Sequence, residues 1–195
     1  MSRPVPPRPA KLVAGLFLKE RSLIGPVVED LQAQFGPLDL VSGWIPFDFT
    51  SYYSREMGEP LFRRVMAFGG LINQGALASI KRTTNAIEDT YAIEGKRRVN
   101  IDPGYMLAER FVLATGKNFT HRIYIGGGIY ADLTLMYQKG AFRALPWTYP
   151  DYAGEKMQDF LTLVRDRYLR DMKYGHPRTP DEVGNDQKHD GIRRR

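Results

Sequence analysis

The 195-residue chain is predicted to adopt an α+β fold. We expect a ferredoxin-like βαββαβ core, an added antiparallel β-hairpin extension and a C-terminal helix. Three observations predict it. Hydrophobic periodicity switches in the order strand, helix, strand, strand, helix, strand over the first hundred residues, and in the ferredoxin-like sandwich that order places both helices on one face of an antiparallel sheet. Residues 121–137 then carry a β pattern in two alternating halves on either side of Gly126–Gly128. Finally, a composition of 43% hydrophobic and 26% charged residues is that of an ordinary globular chain long enough for one buried core.

The elements follow in order. Lys11–Lys19 is a short apolar run with the flanks of a buried strand. Leu23, Ile24, Val27, Val28, Leu31 and Phe35 recur at helical spacing, and Gly36-Pro37 stops that helix. Residues 38–47 read as a second strand and Leu61–Phe68 as a third. Ala76, Leu77, Ile80, Thr84, Ile87 and Tyr91 form a second helical stripe, with Gly95 placed as its C-terminal cap. A fourth strand spans Arg97–Asp102 and is closed by a Pro103-Gly104 turn. Met106–Ala114 fits either period. In the hairpin beyond, Ile123 and Ile125 alternate with Arg122 and Tyr124, Gly126–Gly128 form the turn, and Ile129 to Tyr137 alternate again. Lys139-Gly140 starts a further hairpin, and Met157, Phe160, Leu161, Val164 and Tyr168 stripe a last helix over about Gly154–Met172.

The domain organisation follows from the ends. Residues 1–10 form a Pro/Arg-rich extended arm, 11–172 a single α+β domain, and 173–195 a polar, basic tail expected to be disordered. The net charge of +6 belongs mainly to those ends. Residues 1–11 carry three basic side chains and no acid, and residues 173–195 carry six against four, which leaves 19 basic and 18 acidic side chains between. A neutral body argues against a nucleic-acid-binding fold and leaves only the arms for such a partner. The absence of cysteine removes disulfides, thiolate catalysis, Cys-ligated zinc and iron–sulfur clusters. The apolar run Leu12–Leu18 is too short for a signal sequence, and nothing approaches the ~20 apolar residues of a membrane span. A cytoplasmic protein without membrane contact is expected. No P-loop, dinucleotide fingerprint, GxSxG, HExxH or EF-hand loop occurs, so no cofactor or metal is named.

The strings FDFTSYYSREMG (47–58), TTNAIE (83–88), RRVNIDPGY (97–105), THRIYIGGGIYADLTLMY (120–137) and WTYPDY (147–152) resemble the bacterial family called Domain of Unknown Function 4416. The resemblance runs in order over residues 9–168 and leaves out the tail. It implies no assigned activity and no catalytic residues.

Candidate site residues therefore come from the chain itself. Asn100 and Asp102 stand two apart on a predicted strand and share a face. His121 is the one histidine of the body and the natural acid–base candidate, with Asp102 the second catalytic candidate. Arg122 follows it, expected on the opposite side. Asp132, mid-strand, is costly unless solvated or paired. Lys81, Asn85 and Glu88 lie at helical spacing, either as a solvated face or as ligand contacts. Asp151 is placed to cap the last helix, and Tyr149 and Tyr152 to wall a pocket or pack. The aromatic connection from Phe47 to Tyr53, with Arg55 and Glu56, has the composition of a covering loop. Together these predict a small-molecule-binding protein or enzyme for an anionic ligand, a nucleotide or phosphorylated metabolite, using Lys81, Asn85, Asn100, Arg122, Asp132 and Tyr149 for binding. The alternative is a non-enzymatic interaction or homo-oligomeric assembly module pairing through an open sheet face and the aromatic segments 47–53 and 147–152.

Overall fold

A computed structural model of the chain describes residues 3–46, 57 and 60–175. Residues 47–56, and with them most of the expected covering loop, lie outside the described residues, as does the tail from 176. In chain order the elements are β1 (Ala10–Leu18), α1 (Ile24–Phe35), β2 (Leu38–Val41), β3 (Ile45–Pro46), β4 (Phe62–Ile72), α2 (Leu77–Thr90), β5 (Val99–Met106), β6 (Arg110–Thr115), β7 (Arg122–Gly126), β8 (Ile129–Gln138), β9 (Ala141–Ala144), α3 (Pro150–Ala153) and α4 (Glu155–Tyr174). Among the described residues this is an α+β fold: four helices and one antiparallel sheet of eight strands, plus the two-residue β3 paired to β4. The order is β2-β4-β1-β5-β6-β8-β7, with β9 on β8.

Strand β1 is buried from end to end because both sheet faces are covered there. Leu12, Ala14, Leu16 and Leu18 meet Val27 and Leu31 of α1 and Ile80 and Ile87 of α2. Val13, with Val65 and Ala67 of β4, packs instead toward Met157, Phe160, Leu161 and Val164 of α4. The face that α1 and α2 leave free is thus covered by the C-terminal helix over the middle of the sheet, where an open face was expected. Lys11 fastens that helix down. Its ammonium, fully buried, lies 2.8 Å from Asp39 and 2.7 Å from Asp171, and Arg167 reaches the same two carboxylates.

Several boundaries differ from the sequence reading. The second strand breaks at Ser42, whose hydroxyl accepts the Val65 N–H at 2.9 Å in place of a ladder partner. Gly95 is not the cap of α2. The helix ends at Thr90 with Tyr91 at the cap, and Gly95, at φ +72°, turns the chain inside the Ile93–Lys96 bridge. Helix α4 runs two residues past Met172, so the tail does not begin at Lys173. Residues 106–114 resolve as the end of β5, a tight connection and β6.

The most consequential difference is at Pro103-Gly104, which is not a turn. Strand β5 continues through both residues, in register with β1 from Val99 to Met106. On its other edge β5 pairs with β6 only at Gly104, Tyr105 and Met106. Proline lacks an N–H, so a strand residue of this type stops a ladder on the edge toward which it should donate. Beyond Pro103 the strands diverge and the sheet forks. Gly104 stands in the crotch of the fork: a Cβ there would lie 2.4 Å from the Val112 carbonyl oxygen, closer than any side chain tolerates.

Candidate functional site

A fork leaves backbone groups without a strand partner, and these must be satisfied in another way. At Ile101 two side chains of α2 do this. Glu88 accepts the Ile101 N–H at 2.7 Å, and Lys81 donates to the Ile101 carbonyl at 2.6 Å. Lys81 and Glu88 are seven residues apart, two helical turns, and so project from one face. That face is not solvated: Lys81 is 7% exposed and Glu88 4%. Their charged groups lie 3.4 Å apart, and Lys81 is also 3.8 Å from Asp102.

The splayed strands enclose a cavity of about 480 Å3. Its inner wall is Phe17 on β1 with Asn100 and Asp102 on β5; α2 supplies Lys81, Asn85 and Glu88. The opposite wall is the end of β6 and its continuation, Leu113 to Lys117, with Arg122 and Asp132 from the paired positions of β7 and β8. Tyr149 to Tyr152, on and before α3, close the third side, and Arg97 stands beside Asn100. Lys117 and Tyr149 are exposed at the rim, while Asn100, Asp132 and Tyr152 are buried.

The structure therefore brings Lys81, Asn85, Asn100, Asp102, Arg122, Asp132 and Tyr149 to one cavity. His121 is not among its lining residues. It precedes β7, lies 3.1 Å from Asp132 Oδ2, stacks on Trp147 at 4.9 Å between ring centroids, and has the edge of Phe119 at 5.5 Å. It meets the cavity lining at Asp132. Arg122 shares that carboxylate, donating to it from Nε at 2.9 Å, so His121 and Arg122 converge rather than face apart. The expected opposition fails because β7 begins at Arg122 and His121 is outside the alternation. Arg122 also donates to the Lys117 carbonyl and the Tyr149 hydroxyl. Burial works against its charge, but the hydrogen bonds to Asp132 and Tyr149 outweigh it and raise its pKa.

Asp151 does not cap the last helix, which starts after Gly154. It pairs with Arg63, a fully buried guanidinium lying over the rings of Phe17 at 4.7 Å and Tyr152 at 4.3 Å. Burial raises the carboxyl pKa of Asp151 against the opposing pull of Arg63, and it raises that of Glu88 against Lys81. Burial likewise pushes the Tyr152 hydroxyl above the usual phenol range. Asn100 is 2% exposed. Its carbonyl oxygen accepts from Arg97 at 2.8 Å, which orients the amide, and its Nδ2 has no hydrogen-bond partner. Among the described residues no group of three or more His, Asp or Glu side chains is arranged to hold a metal ion.

Sequence reasoning missed Phe17, Arg97, Lys117 and the pairing role of Asp151. For Arg97 a signal existed, since a strand-entry arginine three residues before a buried asparagine can fix its amide. Phe17 carries no signal, because an aromatic in an apolar strand reads as core.

A family model for a domain of unknown function, DUF4416, matches residues 8–168. The chain belongs to this family. The matched segment begins just before β1 and ends within α4, so the DUF4416 domain contains the entire cavity wall. No curated protein and no solved structure matches the chain. No helix among the described residues is long and apolar enough to cross a membrane.

Proposed function

We propose that the forked-sheet cavity binds an anionic small molecule, a nucleotide or phosphorylated metabolite, and that the protein is a binder or enzyme for it. One observation carries this reading. Lys81, Arg97, Lys117 and Arg122 converge on a cavity of about 480 Å3, with Arg63 directly behind it, while four carboxylates oppose them. Burial pushes two of those carboxylates, Glu88 and Asp151, toward their neutral forms. Five cations against four acids, two of which burial pushes toward their neutral forms, favour an anion. The volume is within the range of metabolite pockets, roughly 300–1,000 Å3. The sign with pH follows: each proton taken up by Glu88 or Asp151 adds one positive charge, so anion affinity rises as pH falls through their raised pKa values.

Thermal shift against AMP, ribose 5-phosphate and inorganic phosphate tests it, since a ligand at about 100 times its Kd stabilises by about 2.7 kcal/mol. We expect a rise in melting temperature of roughly 5–10 °C. Unchanged melting with every phosphorylated probe overturns the reading.

We further infer that β1-α1-β2-β4-α2-β5 is a ferredoxin-like core; the antiparallel order β2-β4-β1-β5 with both helices on one face supports it. A second reading, self-assembly, draws on the edge strand β7, where Ile123 and Tyr124 are exposed beside Phe119. Sedimentation of wild type against Ile123→Lys decides it; a monomeric wild type at micromolar concentration rejects it.

A further inference from the structure

We propose that the cavity takes a guanine nucleotide, with Asp102 and Asn85 reading the edge of the base. The assignment rests on the anion reading and names the uncharged half of the ligand. It starts from which polar groups of the lining the fold has already used. Lys81 and Glu88 are held by the Ile101 backbone and by each other, Arg122 by Asp132, the Lys117 carbonyl and the Tyr149 hydroxyl, and Asp151 by Arg63. Asn85 and Asp102 line the same cavity and, among the described residues, make no side-chain hydrogen bond. Asn100 Nδ2 and the Tyr152 hydroxyl are sealed inside the protein, whereas the polar atoms of Asn85 and Asp102 are accessible, and the open space these side chains line is the cavity. The Asp102 side chain is 25% exposed, and Lys81, its ion-pair partner, stands 3.8 Å away, beyond a hydrogen bond.

Lys81, Asn85 and Glu88 project from one face of α2, with Asn85 between the other two. The Lys81 ammonium lies 3.4 Å from Glu88 and 3.8 Å from Asp102, so the open amide and the open carboxylate flank one buried cation. That cation already balances Asp102, and the carboxylate therefore calls for neutral donors rather than a second positive charge. A carboxylate has two acceptor oxygens, while an amide has one donor end and one acceptor end. Both groups are planar, and a rigid planar edge engages them with little loss of conformational freedom. Among the nucleobases only guanine carries two adjacent N–H donors, at N1 and N2, with a carbonyl oxygen, O6, next to them. The two N–H groups suit the Asp102 oxygens, and O6 suits the Asn85 N–H. Adenine and cytosine set a ring-nitrogen lone pair beside their amino group, and uracil sets a carbonyl on each side of its N–H, so each turns a lone pair toward the carboxylate. Phe17 and Leu113, which pair with Asn100 and Gly104 on either side of Asp102, give the ring apolar walls.

Calorimetric titration of the full chain tests this with four probes: GMP, IMP, which lacks the 2-amino group, AMP, and ribose 5-phosphate, which lacks the base. IMP and AMP should each bind roughly 10- to 100-fold more weakly than GMP, the contribution of a hydrogen bond to a charged group. Asn85→Ala should weaken GMP about 3- to 10-fold and leave the GMP-to-IMP affinity ratio unchanged, because that amide faces the oxygen the two share. Asp102→Asn turns one acceptor into a donor, so it should weaken GMP and favour XMP, whose 2-oxo group accepts; the GMP-to-XMP affinity ratio should fall at least about tenfold. A purely structural role for Asp102 lowers both affinities alike, and if Asp102→Asn does not fold, the wild-type ratios still decide. Equal affinity for GMP, IMP and AMP, or ribose 5-phosphate binding as tightly as GMP, overturns the guanine assignment and leaves the anion reading standing. Failure of all four probes to bind wild type overturns both. An unchanged GMP-to-XMP ratio in Asp102→Asn, or undiminished GMP affinity in Asn85→Ala, overturns the part assigned to that residue.

Discussion

Lys81→Met probes the fork most directly. The substitution keeps the length and apolar stem of the side chain and deletes an ammonium that donates to the Ile101 carbonyl at 2.6 Å and lies 3.4 Å from Glu88. Left behind is a carboxylate only 4% exposed, still accepting the Ile101 N–H at 2.7 Å and 3.6 Å from Arg97. Breaking a buried pair by removing one partner costs about 3–5 kcal/mol. Arg97 retains part of the compensation and Glu88 can take up a proton, so we expect a loss of about 2–3 kcal/mol at pH 8, or roughly 4–12 °C in melting temperature. The pH dependence identifies the cause. Burial already raises the Glu88 pKa, with Lys81 opposing, so deleting Lys81 raises it further. A carboxyl with a raised folded-state pKa penalises the fold while charged. The penalty is full above the folded pKa, shrinks as pH falls through it, and is gone below the unfolded value of about 4.3. Urea unfolding at pH 8, 7, 6 and 5, followed by the fluorescence of Trp44 and Trp147, should therefore show the gap from wild type closing toward acid. Adding Glu88→Gln should recover more than half of it, because Gln still accepts from Ile101 and carries no charge. A gap of constant size across this range, or none at all, would refute the buried-pair reasoning.

Two further predictions follow from the same geometry. Gly104→Ala places a methyl 2.4 Å from the Val112 carbonyl oxygen and should destabilise by about 1–3 kcal/mol through overpacking, measured by the same urea titration; Gly116→Ala, where a Cβ meets nothing within 4 Å, is the matched control and should be near neutral. His121→Phe keeps the stack on Trp147 while deleting the contact with Asp132, so if His121 only braces that carboxylate, calorimetric affinity for the bound phosphate probe should fall less than about tenfold. A larger fall would mean that His121 touches the ligand itself.

Much of the architecture was legible because it rests on periodicity. The helical stripes of α1, α2 and α4 and the alternation of β7 and β8 are local patterns, and each produced its element within a few residues. The site was partly legible for the same reason: period two puts Asn100 and Asp102 on one face whatever lies beyond it. What failed was reading Pro103-Gly104 by its local meaning. A Pro-Gly pair signals a turn when its neighbours are free to bend, but here β1 holds β5 in register past both residues, and the missing N–H ends only the pairing with β6. That ending is what empties the fork. The burial of Lys81 and Glu88 was illegible on α2 for a related reason: nothing in a helix sequence tells that a strand facing it has an N–H and a C=O without a ladder partner. The closure of the second sheet face was equally hidden, since the stripe of α4 is apparent but its docking depends on Lys11 meeting Asp39 and Asp171, residues more than a hundred positions apart at the extreme.

The near-neutral body is also read differently once the cavity is known. Nineteen basic and eighteen acidic side chains between residues 12 and 172 suggest a surface without electrostatic purpose, yet four of each sign line one cavity. A tally cancels them and depth does not. Glu88 and Asp151 are pushed toward neutrality by burial, while Lys117 is exposed at the rim. The charge of the cavity thus responds to pH, and so does that of the basic ends, because His176 and His189 titrate near neutrality. Salt separates the two sites: a run of basic residues loses affinity for a polyanion steeply with ionic strength, whereas pairs inside a cavity are screened much less. An anion held between β5 and β6 should therefore bind with a shallow salt slope. A steep salt slope would place the anion on the basic ends and leave the fork with a structural role only.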